Sequence, residues 1–390
     1  MKRIRVWPIY LTNFLLTSSL GVVFVFLEDV QTENSLADWE IGAIAANGFA
    51  AALVVQLLLA PLADRGRSTI LAVIALIAGI AGPIGFAYGS SMLVLAASRG
   101  LSGIGLGLFG LLARKALLGL DATGGGAKLG VLLSTAVAGF IAGPVIGAAF
   151  EPLGFEAPFL AVSLALAVLG IPATRTMLRT AIATAPVDYS DLGRLLARPK
   201  VQAAMLIQVV VFGFIGVFDA VVDRFLTDLG ASTGQVAMVI LFVGAPMLIL
   251  PRFAGNLAER MGGARVMLPA LLGLIPAMAG YGVAGVLTVA AVCGFLHGVS
   301  ESFASISAQV LVLEVTGAPR AAVGSSLLDA AGLGAASVAA AAAPIVYGAS
   351  GQWVFRWMAV FGVVLGLIAV QRVRHGSDKP FAPLPEPAVS

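Results

Sequence analysis

The chain reads as long apolar runs separated by short polar breaks. A helix needs about 20 apolar residues to cross roughly 30 Å of hydrocarbon. Twelve runs reach that scale. Six lie near 7–27, 41–62, 69–88, 91–112, 129–150 and 157–173, and six near 202–222, 235–251, 266–285, 287–312, 325–347 and 353–371. The pattern predicts an all-α integral membrane protein with twelve transmembrane helices in two six-helix bundles, residues 1–173 and 201–374. Between them lies the longest polar stretch, with Arg175, Arg179, Arg194, Arg198, Lys200, Pro186 and Pro199. Residues 174–200 are therefore expected to form a cytoplasmic linker, and the proline-rich residues 375–390 a disordered tail. Lys2, Arg3 and Arg5 before the first run resemble the start of a signal peptide. The run is too long for one and no small-residue cleavage site follows, so a retained first helix is expected.

Charged residues segregate between the two sets of loops. One set holds Lys2, Arg3, Arg5, Arg65, Arg67, Arg114, Lys115, Lys128, the five linker cations, Arg260, Arg265, Arg320, Arg372, Arg374 and Lys379. The other is mostly acidic: Glu28, Asp29, Glu33, Asp38, Glu40, Glu151, Glu156 and Asp228. Because short cytoplasmic loops carry the excess of Lys and Arg, both termini and the linker are expected in the cytoplasm of a multi-pass cell-membrane protein.

Composition supports the same class. Only 11% of residues are charged and 59% are hydrophobic, with a mean hydropathy of +1.01. A soluble domain is about a quarter charged because its surface faces water. No basic run is dense enough for nucleic-acid binding. One cysteine, Cys293, excludes an intrachain disulfide and a multi-cysteine metal site. No metal or cofactor is expected.

The two halves repeat at a shift of 195 residues. Glu28 then falls on Asp223, Asp29 on Arg224, Glu40-Ile41-Gly42 on Gln235-Val236-Ala237, and Leu62-Ala63-Asp64-Arg65 on Leu257-Ala258-Glu259-Arg260. Secondary transporters are commonly built from such repeats, with the substrate site near the midplane between them.

Three motifs carry a resemblance to the major facilitator superfamily. The loop after the second span of the second half reads Gly255-Asn256-Leu257-Ala258-Glu259-Arg260-Met261-Gly262. This is similar to the superfamily pattern Gly-x-Leu-Ala-Asp-Arg-x-Gly-Arg. The first half departs from it: Ala60-Pro61-Leu62-Ala63-Asp64-Arg65-Gly66-Arg67 lacks the first glycine and one residue before the second. A very short turn needs glycine. Its charges, Asp64, Arg65, Arg67, Glu259 and Arg260, are suited to pairing with neighbouring helix ends and locking one state. The fourth span holds Arg99, with Gly103 and Gly105 four and six positions on, as the superfamily does. A cation at that depth costs about 2.5–3.5 kcal/mol, so a polar cavity or partner acid is expected. These glycines follow no strand and are not a dinucleotide loop. Gly124-Gly125-Gly126-Ala127-Lys128 lacks phosphate-loop spacing and is expected to be a flexible turn. The fifth span carries Gly139, Gly143, Pro144 and Gly147, matching the Gly-x-x-x-Gly-Pro-x-x-Gly pattern of the superfamily's drug–proton antiporters. Small residues at this spacing allow close helix contact, and proline removes a backbone hydrogen bond. The resemblance implies two pseudo-symmetric bundles and a hinge in this helix.

Ionisable residues within spans mark candidate working sites. They are Asp219 and Asp223 in the seventh, His297 and Glu301 in the tenth, and Asp329 in the eleventh, with Glu28 and Asp29 at the end of the first. Asp219 with Asp223, and His297 with Glu301, are four apart and share a helical face. The resemblance implies that the first and fourth spans of each half line a central cavity. There these groups, with Arg99, would handle protons or substrate, or else orient helices as internal pairs such as Arg99 with Glu301. Asn13, Gln208, Gln309, Phe24, Phe26, Phe212, Phe214 and Phe218 are further candidates for its walls, although such aromatics also face lipid.

The leading expectation is proton-coupled efflux of a small, partly lipophilic molecule by a monomeric secondary transporter. A proton-coupled uptake symporter for a metabolite is the alternative within transport. A lipid flippase, or an intramembrane enzyme, is the alternative of another class. No nucleophile motif, paired histidine ligands or zinc spacing supports an enzyme.

Overall fold

The computed structural model describes residues 6–64, 67–119, 125–180, 192–316 and 321–375, and every regular element among them is helical. In the first half these are α1 (Trp7–Gly21), α2 (Leu27–Glu33), α3 (Asp38–Asp64), α4 (Ser68–Ala87), α5 (Met92–Gly119), α6 (Gly125–Phe150) and α7 (Ala157–Thr180). A short α8 (Leu192–Leu196) precedes α9 (Pro199–Asp228), α10 (Thr233–Ile249), α11 (Pro251–Met261), α12 (Gly263–Tyr281), α13 (Leu287–Thr316), α14 (Ala321–Ser350) and α15 (Trp353–His375).

Eleven stretches are long and apolar enough to cross a membrane, and α10 with α11, bent by 45°, make a twelfth if counted as one span. The bend has a local cause. Pro251 opens α11 and has no amide proton to continue the ladder of α10. Gly262, with φ 93°, then turns the chain into α12, a left-handed conformation that favours glycine.

Several boundaries differ from the apolar runs. The first run ends in a 3-10 turn, Val22–Val25, and the chain resumes as α2 beyond it. The expected flexible turn at Gly124–Lys128 is partly helix, because α6 already begins at Gly125. The sixth span continues past residue 173 to Thr180. Hydropathy marks where residues turn polar, but a helix continues while its backbone bonds do.

Packing within the halves matches pair for pair. In the first, α1 lies against α5, α6 and α7, while α4 lies against α5 and α7, and α3 against α5. In the second, α9 lies against α13, α14 and α15, while α12 lies against α13 and α15, and α10 against α13. Contacts of α3 on α14 and of α6 on α10 join the halves, and so do smaller ones of α2, α3 and the Val22–Val25 turn with α9. Gly42 allows the first, since a Cβ there would overlap the carbonyl of Ala341.

Around α1 and α9 the halves pack more tightly at one end than at the other. The inner end is here the end at which α1 and α9 begin. From Leu15 to Leu27 the first helix and its 3-10 extension are buried on all sides, as is α9 from Gly216 to Asp223. Nearer the inner end, Tyr10, Leu11, Phe14, Met205, Leu206, Val209 and Phe212 keep partial exposure.

Candidate functional site

Four ionisable side chains from both halves are buried between the middle of the bundle and its outer end. Arg99 of α5 is 2% exposed, and Asp219 of α9 and Glu301 of α13 are each 5% exposed. Arg99 donates from Nη1 to the carbonyl of Leu20 at 2.9 Å, and its guanidinium stands 5.2 Å from the Phe24 ring. That carbonyl is near the end of α1, where the regular ladder gives way to the 3-10 turn. Asp219 interacts electrostatically with both Arg99 and Glu301. Glu301 Oε2 lies 3.5 Å from His297 Nε2, one helical turn earlier on α13. The other ring nitrogen, Nδ1, is 3.4 Å from the hydroxyl of Tyr281 on α12. Phe214, Phe218 and Tyr281 enclose the imidazole, with ring centroids 5.8–6.3 Å away.

Polar atoms in this cluster are under-used. Arg99 Nε, Asp219 Oδ2 and His297 Nε2 are buried and have no hydrogen-bond partner among the described residues. Most buried polar side chains do have partners, so such a concentration requires an explanation. A carboxylate at this depth is stable when paired or protonated. Contacts run from Glu301 through His297 to Tyr281, with Asp219 acting on both Arg99 and Glu301 through its charge, and the group offers several places for one proton.

The other sequence candidates lie elsewhere. Asp223, one turn beyond Asp219, accepts the amide of Glu28 at 3.0 Å and ties the outer end of the first helix to α9. Arg224 beside it binds Asp38 across the halves at 2.8 Å, while Gln31 donates to the same carboxylate at 2.7 Å. Arg224 also stands 5.4 Å from the ring of Tyr347, whose hydroxyl donates to Asp228 at 2.6 Å. Asp29 is exposed on α2, and Glu151 accepts from Thr233 at 2.9 Å. Burial holds the Glu28 carboxyl above its usual value; Asp228 and Asp29 push the same way, against the Thr227 hydrogen bond and Arg224. Asp329 does not join the central cluster. It pairs with Arg114 of α5 at 3.3 Å, nearer the inner end. Asn13 binds within its own half, to the Leu132 carbonyl at 2.9 Å and to Thr135.

Gly139, Gly143 and Gly147 face the first helix of their own half. A Cβ on Gly143 would stand 2.6 Å from the backbone of Gly21 and Val22, and one on Gly147 would stand 2.7 Å from Val25. A Cβ on Gly139 would overlap the Phe14 carbonyl. Contact with the second half falls to Ile141, which packs against Gly244 of α10. Of the loop residues, Arg67, Glu259 and Arg260 are exposed and Gly255 is partly buried. The Asp64 side chain and Arg65 lie outside the described residues. Glu314 of α13 accepts the amide of Gly263 at 2.8 Å.

Pattern reading found Arg99, Asp219, His297 and Glu301 because a charge in an apolar run is conspicuous. It did not single out Tyr281, the Leu20 carbonyl, or the Asp38–Arg224 and Arg114–Asp329 pairs. Tyr281 closes an ordinary apolar run, and salt-bridge partners 186 and 215 residues apart carry no local signal.

No protein-family model and no curated protein matches the sequence. Solved structures do match its fold. A bacterial homologue of the human lysosomal transporter Spinster, inward-facing and occupied, superposes with a TM-score of 0.74 over 98% of this chain and 100% of that one, at 15% identity. A D-xylose–proton symporter gives 0.75 over 96% and 99%, at 16% identity. The chain has the major facilitator fold. A nucleoside transporter shares it, with a TM-score of 0.75, 16% identity and coverage of 94% and 99%. Within the major facilitator fold, the Arg99 cluster lies where the two halves meet.

Proposed function

We propose that the protein is a secondary active transporter that carries a small, partly lipophilic solute by alternating access, in exchange for protons and in the direction of efflux. The observation that carries this reading is the Arg99–Asp219–Glu301–His297 cluster, which both halves contribute to and which water does not reach. A group that is charged in one state and neutral in another avoids the cost of a permanent unpaired charge at this depth. Closure around Glu28, Asp223 and Arg224, with looser packing at the inner end, fits one of the two states such a cycle requires. The apolar walls, Phe24, Phe214 and Phe218 among them, suit a substrate with an aromatic or aliphatic body. The basic loop residues favour a cytoplasmic position for the inner end, the linker and both termini.

One proton moving down about 100 mV releases about 2.3 kcal/mol, which supports about a fortyfold gradient of a neutral solute. Purified protein in vesicles with an imposed pH gradient tests the reading against a panel of lipophilic cations, weak bases, sugars and nucleosides. Gradient-driven movement of a panel member supports it, and transport that ignores the pH gradient refutes the coupling.

Uptake by symport is the second reading. The small-residue face of α6 serves contact within one half and is as suited to a symporter as to an exporter. Accumulation with the proton flux, instead of against it, would select it.

A further inference from the structure

We propose that the protein binds one anionic phospholipid of the surrounding bilayer in a slot between α11, α12 and α13. The slot has a volume of about 400 Å³. Leu257 and Met261 of α11, Val266 and Ala270 of α12, and Val299 and Phe303 of α13 form its apolar walls, and Arg265 lines it near the start of α12. Its origin is the 45° bend at Pro251, which swings α11 away from the line of α10.

Two observations specify the occupant. The first is that the slot opens towards lipid. Gly273 lines it, and Leu296, a neighbour of that glycine, belongs to a membrane-facing stripe with Val292, 65% exposed, and Phe295. On the α12 side Leu272 is 80% exposed. From Arg265 to Gly273 the helix rises about 12 Å, the depth of an acyl-chain segment. The second is charge. Arg265 is exposed, and its side chain has no hydrogen bond or ion pair among the described residues; the same holds for Arg252 and Arg260 of α11. Of the nearby acids, Glu259 is exposed and the Glu314 carboxylate accepts the Gly263 amide. An amphiphile with its anionic headgroup on Arg265 and one chain in the slot satisfies both features. Because the opening faces lipid, the source is a bilayer phospholipid.

Native mass spectrometry of delipidated protein, titrated with dioleoyl phosphatidylglycerol and separately with dioleoyl phosphatidylcholine, tests this. One phosphatidylglycerol is expected to bind in preference to phosphatidylcholine. Arg265→Ala should weaken phosphatidylglycerol about fivefold and leave phosphatidylcholine unchanged. Ala270→Phe should weaken both by filling the slot, and Arg252→Ala, outside it, should change neither. Equal binding of the two lipids by the intact protein overturns the proposal. So does undiminished binding by Arg265→Ala, whose exposed position leaves folding intact, or an equal loss from Arg252→Ala. The readout is binding alone, so its failure leaves the transport reading untouched.

Discussion

Arg99 and Asp219 come from opposite halves, and each is surrounded by apolar walls. Asp219→Asn removes the acid whose charge acts on the Arg99 guanidinium, and Arg99→Met removes the cation whose charge acts on the carboxylate. Removing one member of a contacting buried pair costs about 3–5 kcal/mol, and these two stand further apart than an ion pair. The lower end, about 3 kcal/mol, is expected for Asp219→Asn, because Arg99 keeps the Leu20 carbonyl at 2.9 Å and the Phe24 ring at 5.2 Å. That is roughly a 150-fold fall in the folded-to-unfolded ratio. Arg99→Met should cost at least as much, since Asp219 Oδ2 has no hydrogen-bond partner among the described residues to fall back on. The double variant buries no unpaired charge and is expected to be more stable than either single one. The assay is thermal unfolding in detergent followed by a thiol-reactive dye. The chain has one cysteine, Cys293, packed against Gly280, so one reporter follows the unfolding of the second half. If the two single losses simply add in the double variant, Arg99 and Asp219 do not compensate one another, and the cluster is not the coupled unit described above.

Other outcomes follow from particular contacts. Gly143→Ala places a Cβ 2.6 Å from backbone that cannot yield, so α1 and α6 must part; overpacking of this kind costs about 1–3 kcal/mol. Turnover in vesicles should fall while substrate binding in detergent persists, and lost binding by a folded variant would place the motif in the substrate site. Arg224→Gln breaks an ion pair whose members are about one-third exposed, worth about 0.2–1 kcal/mol, and should favour the outward-open state by at most about fivefold. Maleimide labelling of a cysteine introduced beside Asp38, in a Cys293→Ser background, reads that shift. Glu28 is raised above 4.5 when the outer end is closed, so its contribution to closure is full below 4.5 and is lost as pH rises through the raised value. The same labelling should therefore increase with pH across that window, and Glu28→Gln should flatten the profile. Glu301→Gln should abolish pH-driven accumulation while equilibrium exchange of substrate continues; undiminished accumulation would remove Glu301 from the proton path.

The sequence revealed the helices better than their ends, and single charges better than their partners. Apolar length alone specified the spans, because in hydrocarbon every backbone amide must bond within its own segment. The break at Val22–Val25 was hidden, since its residues are as apolar as the helix before it. The bend at Pro251 was hidden for a different reason: the apolar run ends there anyway. Arg99 stood out because charge is rare in such a run. Its acid could not be chosen by spacing; in the structure Arg99 bonds the Leu20 carbonyl, and Glu301 is turned to His297. Glu28 and Asp223 were noted as equivalents in the repeat, but only the fold shows that they touch.

That contact has a meaning in symmetry. In a twofold assembly every contact away from the axis occurs twice, whereas one between two equivalent positions lies on the axis and occurs once. The α3–α14 and α6–α10 seams are such a duplicated pair. Glu28 and Asp223, 195 residues apart and joined at 3.0 Å, form the singular one. A weakened seam still has its twin on the far side to hold the halves in register. The junction on the axis has no twin, so it lacks the redundancy against substitution that the α3–α14 and α6–α10 seams share.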